Sequence, residues 1–452
     1  MFQRKAVFFA VAGLLASSGY ALAGNAPKTS LSLDPTVITA DAPADRAPLM
    51  MALDKVGAAK PLDDIGLNIY GWVESGYSYN HRHASRNFGI LPGPFNVEHG
   101  NHYTFNQLDI RFERQVDTKK FDVGGMVEVL YGLDANHIHS TGLPFWGSDP
   151  STTDQALATR DTNSAYPGFD IPQAYVTVNI PVGNGLQLKA GKFDTLLGYE
   201  TVDPRGNLFY SHSWIFNALP YSATGILGTY QFTDALSVTA GISRGWDQTL
   251  EDSGPNGGSC AIDALGNITY KINNQITAQL NWSTGPENFM DTSHYRTALD
   301  PIVTWAVTDK LNLAVEGLYI YDGGMNGNAP SVTHAYGDVW GAAAYASYTV
   351  NEYLTVNARA EKAHAYSSGY GGYTISQLPS VPSGAIPALN AYEITLGVTV
   401  TPMPKDPILK NLSVRPEIRY DFTDSSAYRF FPANGNFYKD QLTFAADVIF
   451  KF

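Results

Sequence analysis

Segments in which apolar and polar residues alternate recur sixteen times between Leu67 and the last residue, Phe452. Successive side chains of a β-strand point to opposite faces, so each segment predicts a strand with one apolar and one polar face. The segments are 67–79, 104–115, 121–132, 171–180, 186–194, 222–232, 236–245, 260–272, 275–284, 294–307, 311–322, 336–349, 353–366, 389–401, 412–423 and 441–452. A chain with this pattern is either a soluble sandwich or a barrel that faces lipid outside and water inside.

The connections between these segments alternate in length. With the N-terminus in the periplasm, those after odd-numbered strands face outside and are all long, whereas those after even-numbered strands are mostly three to six residues. This alternation is typical of outer-membrane barrels, and a sandwich has no reason to keep every long loop at one end. We therefore predict an all-β fold, a closed antiparallel transmembrane β-barrel of about sixteen strands with short periplasmic turns and long extracellular loops.

Two features leave the strand count between fourteen and eighteen. Pro301 and Pro416 fall inside predicted strands, where a closed sheet offers few places for a missing N–H, so we expect bulges or shifted boundaries there. The twelfth strand, with alanines from Ala342 to Ala346, has no clear polar face. Aromatic residues support the barrel, because those on the lipid-facing positions gather near both strand ends, as at a membrane interface.

The N-terminal region predicts export. Residues 1–23 read as a signal peptide, with Arg4 and Lys5 before an apolar run and an Ala-x-Ala site at 21–23. No later stretch offers the roughly 18 apolar residues of a membrane-spanning helix, which excludes helical membrane proteins. Residues 24–66 are predicted to be an N-terminal segment in the periplasm, here called the lead. A short amphipathic helix in 47–60 serves as a tether or docks at the barrel mouth. The barrel itself is predicted for 67–452.

Composition excludes some partners and frameworks. The formal charge of −13 disfavours nucleic acid as a partner. The single cysteine, Cys260, excludes an intramolecular disulfide framework in an exported chain. We predict Cys260 to be an inert thiol at the lipid-facing rim.

Three segments resemble a known family. Residues 184–200, NGLQLKAGKFDTLLGYE, together with 173–176, are similar to the OmpL-like family of β-barrel porins. Residues 69–79 and 123–132 resemble the first and third strands of that family. The resemblance runs from about residue 66 to the end and implies an outer-membrane barrel of a Gram-negative bacterium with a channel role. It brings no catalytic motif.

Inward-facing charges of such a barrel are the candidate pore-lining residues, since the lumen of a barrel this size is a water-filled channel. They are Glu74, Asp109, Arg111, Glu113, Arg359, Glu361, Arg415, Glu417, Arg419, Asp421, Asp447 and Lys451. Two interpretations stay open. The charges either neutralise one another along a solvated wall, which their alternating signs favour, or form a basic ladder that sorts anionic or zwitterionic solutes.

The third long connection, 195–221, is the predicted constriction loop. It carries Glu200, Asp203 and Arg205 among several aromatic residues, a mixture that could contact small solutes or serve ordinary loop packing. The longer connection 133–170 is the alternative for this role.

Other polar motifs point to no catalytic or metal site. The pairs His81/His83 and His137/His139 are spaced to share a metal, but no third ligand follows, so we expect solvated loop histidines. Ser211 and His212 are adjacent, without the Gly-x-Ser-x-Gly elbow of a hydrolase. We predict no enzyme, no cofactor and no metal.

The predicted function is passive diffusion of small hydrophilic solutes or ions. The alternatives are a barrel-anchored binding protein or adhesin that uses its outer loops, an outer-membrane hydrolase, and a soluble sandwich. Expected partners are outer-membrane lipid and lipopolysaccharide, and small solutes. The last strand, ending in Phe452, resembles the signal read by the outer-membrane assembly machinery. Export through the Sec pathway is expected, and a homo-oligomer is left open.

Overall fold

The computed structural model describes residues 46–81, 101–140, 142–143, 167–250, 262–287, 293–323, 337–365, 376–377, 389–424, 428–429 and 438–452. The predicted signal peptide, His83 and Cys260 lie outside these residues.

Sixteen antiparallel strands form one closed barrel, which confirms the predicted fold. They are β1 Leu67–Asn80, β2 His102–Arg114, β3 Asp122–Gly132, β4 Ala174–Ile180, β5 Leu186–Asp194, β6 Ser222–Gln231, β7 Leu236–Trp246, β8 Asp263–Lys271, β9 Ile276–Gly285, β10 Arg296–Ala306, β11 Leu311–Asp322, β12 Gly337–Asn351, β13 Leu354–Ala365, β14 Leu389–Val400, β15 Leu412–Phe422 and β16 Asp440–Lys451. Each strand pairs with the next, and β16 pairs with β1, where Tyr77 lies opposite Ala446. A three-residue strand, Gly168–Asp170, extends the β4 position along β3.

The alternation of residue types sets the two faces of the wall. On β3, Val127 is 45% exposed on the outside, while its neighbour Glu128 is 3% exposed on the inside. The same division holds on β16, where Phe444 and Val448 face outward and Asp447 faces inward. A one-residue slip would reverse every side chain, so the alternation fixes the pairing register.

The two prolines are accommodated without a bulge or a shifted boundary, contrary to our expectation. The β10–β11 ladder is interrupted at Asp300 and Pro301, and the β14–β15 ladder at Arg415 and Pro416. The register on either side of each gap is unchanged, and the ladder on the other side of each proline is intact. Each proline therefore lies at a gap in the ladder, where its lack of an N–H donor breaks no backbone hydrogen bond.

Two short helices precede the barrel: α1, Pro48–Lys55, and α2, Ala59–Ile65. Arg46 joins them through Asp54 and Asp63. The second helix ends at Gly66 in a left-handed conformation (φ 72°), the usual way for a glycine to end a helix. In the described part of the chain, no helix has the length and apolar character needed to cross a membrane.

The remaining elements belong to the connections. They are the helices α3, Asp134–Ile138, and α4, Trp214–Asn217, a 3-10 turn at Leu409–Asn411, and the short paired strands Ser376–Gln377 and Tyr428–Arg429. Both α3 and α4 are buried.

Candidate functional site: the lumen and its inward loop

The connection 195–221, here called the inward loop, crosses the lumen. It begins and ends on the neighbouring strands β5 and β6, where Asp194 lies opposite Ser222. From there its backbone N–H groups donate hydrogen bonds to carboxylates on four strands of the far wall. These bonds run from Gly198 to Asp300 (2.6 Å), Tyr199 to Glu316 (2.9 Å), Trp214 to Glu361 (2.6 Å) and Tyr210 to Glu417 (2.9 Å). A buried backbone donor must find an acceptor, and the wall carboxylates supply it.

Arginines of the same wall bind the carbonyl groups of the inward loop. Their Nη1 atoms donate from Arg359 to Ser211 (2.7 Å), from Arg415 to Asn207 (2.6 Å) and from Arg419 to His212 (2.6 Å). Each arginine also pairs with a carboxylate of the wall, namely Glu393, Asp447 and Asp421 respectively. The wall thus satisfies both the donors and the acceptors of the loop.

Glu200 links the inward loop to itself and to the wall. Its carboxylate accepts from Arg359 Nη1 (2.7 Å) and the Ser213 N–H (2.8 Å), and lies 3.1 Å from His212 Nδ1. Burial alone would raise the pKa of Glu200, but Arg359 and His212 outweigh it and lower this pKa to about 2. Burial lowers the pKa of His212, so the imidazole is neutral at neutral pH. The group that holds this turn of the loop is therefore a carboxylate anion.

The helix α4 packs against the inner face of β12. Ile215 lies against Gly341, where an added Cβ would come within 2.8 Å of Ile215 Cγ1. Ala343 and Tyr345 share this inner face and belong to the apolar cluster around Trp214. The twelfth strand lacks a polar face because its inner face contacts a helix instead of water.

The charged side chains of Asp203 and Arg205, in the inward loop, are partly exposed. Arg205 Nε donates to Asp203 (2.9 Å), and Asp203 also lies 3.2 Å from Arg111 Nη1. The Arg205 guanidinium lies 4.1 Å from the ring centroid of Trp72, and its side chain is 24% exposed. Burial opposes ionisation of Asp203, but Arg205 and Arg111 outweigh it and lower the pKa of Asp203. This ion pair therefore places a partly solvated cation and anion at the constriction.

The twelve candidate pore-lining residues all lie on inward positions, and ten of them are buried. Glu113 and Lys451 are half-buried, and Glu113 accepts a bond from Tyr70 (2.6 Å). Eight of the ten contact the inward loop or pair with an arginine that does: the two on β13, the four on β15, Asp447 and Glu74. Asp109, Arg111 and Glu128 form a second group on β2 and β3, joined to the loop through Asp203. Their contact with a passing solute stays a prediction.

Sequence reasoning missed three carboxylates that hold the inward loop or its arginines: Asp300, Glu316 and Glu393. All three occupy inward positions by the same alternation, so the signal was present. None of the three has another charge two positions away on its strand, so none forms an alternating row like those on β2 and β15.

The expectation of solvated histidines is wrong for His137 and His139. Both are buried, because α3 folds inward at the start of the connection 133–170 and packs its Ile138 in a cluster with Phe216. His137 bonds the Leu133 carbonyl, and His139 Nδ1 lies 3.5 Å from Asp170. The competing connection therefore contributes to the same constriction as the inward loop. Within the described ranges, no group of three or more metal-ligating side chains could hold a metal ion.

Ser211 and His212 serve the docking of the inward loop. The Ser211 hydroxyl accepts from Arg359 Nη2 (3.2 Å), and its N–H donates to Glu417. His212 stacks on Phe216 with ring centroids 3.9 Å apart. The two side chains are thus bound to different partners.

The inner wall differs in character around the barrel. We call the inner faces of β13–β16, β1 and β2 the charged sector. The mid-strand inner positions of β7–β9, which on β8 lie between Asp263 and Lys271, are called the neutral sector. Mid-strand inner positions of the neutral sector carry Ser237, Thr239, Asn267, Thr269, Gln279 and Asn281. These side chains bond one another, as Gln279 does Thr269 (3.4 Å), and Thr239 bonds Thr229 of β6 (2.8 Å).

Solved structures of bacterial outer-membrane channels share this fold. The outer-membrane channel DcaP of Acinetobacter baumannii is 13% identical, with 85% of this chain and 97% of that chain covered and a TM-score of 0.50. An anion-selective porin from Comamonas acidovorans is 11% identical (85% and 99% covered, TM-score 0.51). OmpF of Salmonella typhi, in complex with daunomycin, is 12% identical (86% and 99% covered, TM-score 0.52). At these identities the likeness shows the fold alone.

The family comparison is more specific. The model of the family described as "Putative beta-barrel porin-2, OmpL-like" matches residues 66–452, which is the whole barrel with the last residue of its lead. The comparison with curated protein sequences found no match. The chain therefore belongs to the OmpL-like family of β-barrel porins and is an outer-membrane porin, as the resemblance of its sequence implied.

Proposed function

We propose that this porin lets small hydrophilic solutes and ions diffuse passively past the inward loop. The observation that carries the proposal is the docking of residues 195–221 across the lumen by carboxylates and arginines of the wall. A loop held at both its donors and its acceptors narrows the lumen permanently, so the pore is a fixed constriction and not a gate.

In this mechanism the path runs past the inward loop, with the neutral sector on one side and the Asp203–Arg205 pair on the other. The mid-strand side chains of the neutral sector are hydroxyls and amides, so this part of the wall does not sort a solute by charge. The Asp203–Arg205 pair supplies the local field, because Arg205 is partly solvated while Arg359 and Arg419 are covered by the loop. The solutes that fit are small, polar and either uncharged or weakly charged.

The test is single-channel recording in a planar bilayer with a salt gradient. Stepwise conductance with a weak ion preference supports the proposal, and a protein that inserts but never conducts rejects it. The alternative, an adhesin whose barrel is only an anchor, predicts that non-conducting result. Membership in a porin family favours the channel.

The remaining assignments are part of the same proposal. Residues 1–23 are a signal peptide for Sec export, and residues 24–66 are a periplasmic lead. Lipopolysaccharide surrounds the barrel, and the last strand directs assembly. A homo-oligomer is compatible with the barrel, and none of the loop contacts described above requires one.

A further inference from the structure

A cation lies on the lipid-facing surface of the barrel, close to its outer rim. Lys362 is on β13, opposite Ala342 on one side and Tyr392 on the other. It points outward, because its neighbour Glu361 points into the lumen and binds Trp214 there. Only three residues separate Lys362 from the outer end of its strand.

The ammonium group of Lys362 contacts aromatic rings. Its Nζ lies 5.0 Å from the ring centroid of Trp340 and 5.4 Å from that of Tyr392. Within the described residues it has no carboxylate partner and no hydrogen bond. The arginines on the inner face of the same wall are each paired with a carboxylate. The nearby Asp424 is already bound by Tyr392 (3.0 Å) and Asn390 (2.8 Å).

An apolar groove of about 350 Å³ begins at Lys362 and runs toward the membrane centre. Its floor consists of the small residues Ala342, Ala344 and Ala360, and its sides of Val315 and Ile394. These two side residues are 48% and 50% exposed. The pairing Ala344–Ala360–Ile394 lies one step nearer the periplasm than the pairing Ala342–Lys362–Tyr392. The groove is thus charged at its outer end and apolar below.

This polarity matches that of an anionic membrane lipid in the outer leaflet. Its head group would lie at the level of the aromatic rim, where Lys362 stands, and an acyl chain would follow the alanine floor. A lysine that faces lipid costs least near the interface, so an anionic partner there readily offsets the cost. An ammonium flanked by aromatic rings keeps N–H donors that can bind the oxygens of a lipid phosphate.

We infer that the groove between β11 and β14 binds a phosphorylated glycolipid of the outer leaflet, with its phosphate on Lys362 and an acyl chain over Ala344 and Ala360. This inference deepens the proposed lipid partner and does not depend on conduction. The competing occupant is a second copy of this chain, for which the alanine floor would be a flat contact surface.

The experiment measures binding of purified lipid A to the full-length protein, refolded in detergent without lipopolysaccharide, by the change in tryptophan emission. Wild type is compared with three variants: Lys362→Gln, Ala344→Phe, and Lys310→Gln as the control on a periplasmic turn. Bisphosphorylated lipid A, dephosphorylated lipid A, phosphatidylglycerol and inorganic phosphate are the four probes.

The expected result is about tenfold weaker binding of bisphosphorylated lipid A to Lys362→Gln, the size of one charge-assisted contact. Dephosphorylated lipid A should bind wild type and Lys362→Gln equally, and Ala344→Phe should weaken both lipids. Lys310→Gln should match wild type. Phosphatidylglycerol and free phosphate should bind more weakly than bisphosphorylated lipid A.

Equal affinity of wild type and Lys362→Gln for the phosphorylated lipid would overturn the inference. So would a change of oligomeric state in Ala344→Phe without a change in lipid binding, which would assign the groove to a second copy. Phosphatidylglycerol binding as tightly as lipid A would also overturn the glycolipid assignment. Single-channel conductance of Lys362→Gln should equal that of wild type, so failure of this inference is distinct from failure of the channel proposal.

Discussion

The charged sector and the neutral sector of the lumen show two uses of polar side chains. In the charged sector, carboxylates and arginines such as Glu361 and Arg359 bind the backbone of the inward loop. In the neutral sector, side chains such as Thr239 and Thr269 bind other side chains of the wall. The comparison shows that charge is concentrated where a loop must be held, so the number of inward charges is a poor guide to ion selectivity.

The largest effect is expected for Arg359→Ala in the charged sector. It leaves Glu200 and Glu393 buried without their cation, which costs about 3–5 kcal/mol. Thr239→Ala in the neutral sector is the control and should cost only about 0.5–1.5 kcal/mol, the value of one hydrogen bond. Urea unfolding of both variants in the same detergent measures the difference. Equal losses would mean that the two sectors do not differ in the way proposed.

A smaller loss of stability is expected for Gly341→Ala, because its Cβ would come within 2.8 Å of Ile215 in α4. Overpacking of this kind costs about 1–3 kcal/mol. Gly317→Ala is the matched control, since its nearest contact would be an ordinary 3.5 Å to Pro301. Shortening Ile215 to alanine in the Gly341→Ala background should recover part of the loss. If Gly341→Ala unfolds like Gly317→Ala, then α4 is not packed on β12.

Ion preference should respond more to the exposed pair than to the covered arginines. Arg205→Gln removes a partly solvated cation at the constriction and leaves Asp203 with Arg111, so reversal potentials should move toward cations. Arg419→Gln should shift them less, because Arg419 is covered and paired with Asp421. The reverse order of shifts would restore the basic ladder that the sequence suggested.

The smallest effect concerns acid. The folded-state pKa of Glu200 is lowered to about 2, below the ordinary value of about 4.3, so its contribution to stability is complete above that ordinary value. This contribution is lost as the pH falls from about 4.3 toward 2. The difference in melting temperature between wild type and Glu200→Gln should therefore shrink between pH 5 and pH 2. A constant difference over that range would show that Glu200 is not held as an anion.

Much of the fold follows from local rules of sequence. Alternation and loop lengths predict the strands, the closure of β16 on β1 and the inward position of residues such as Arg415 and Glu417, because strand geometry alone decides which way a side chain points.

The partners of the inward charges do not follow from such rules. Glu417 binds the N–H groups of Tyr210 and Ser211, which lie about two hundred residues away in the chain, and no spacing in the sequence encodes that contact. The apolar inner face of β12 was unreadable for the same reason, since its partner α4 comes from the loop between β5 and β6. Sequence alone located the charged wall and the candidate loop, and only their docking shows what the charges bind.

We propose that residues 195–221 form a fixed constriction bound to the charged sector. The most direct test replaces residues 199–217 with a short Gly–Ser linker, which the adjacent strand ends Asp194 and Ser222 allow, and records single-channel conductance beside wild type. Conductance should rise clearly while the barrel stays folded. An unchanged conductance in the folded variant would contradict this proposal.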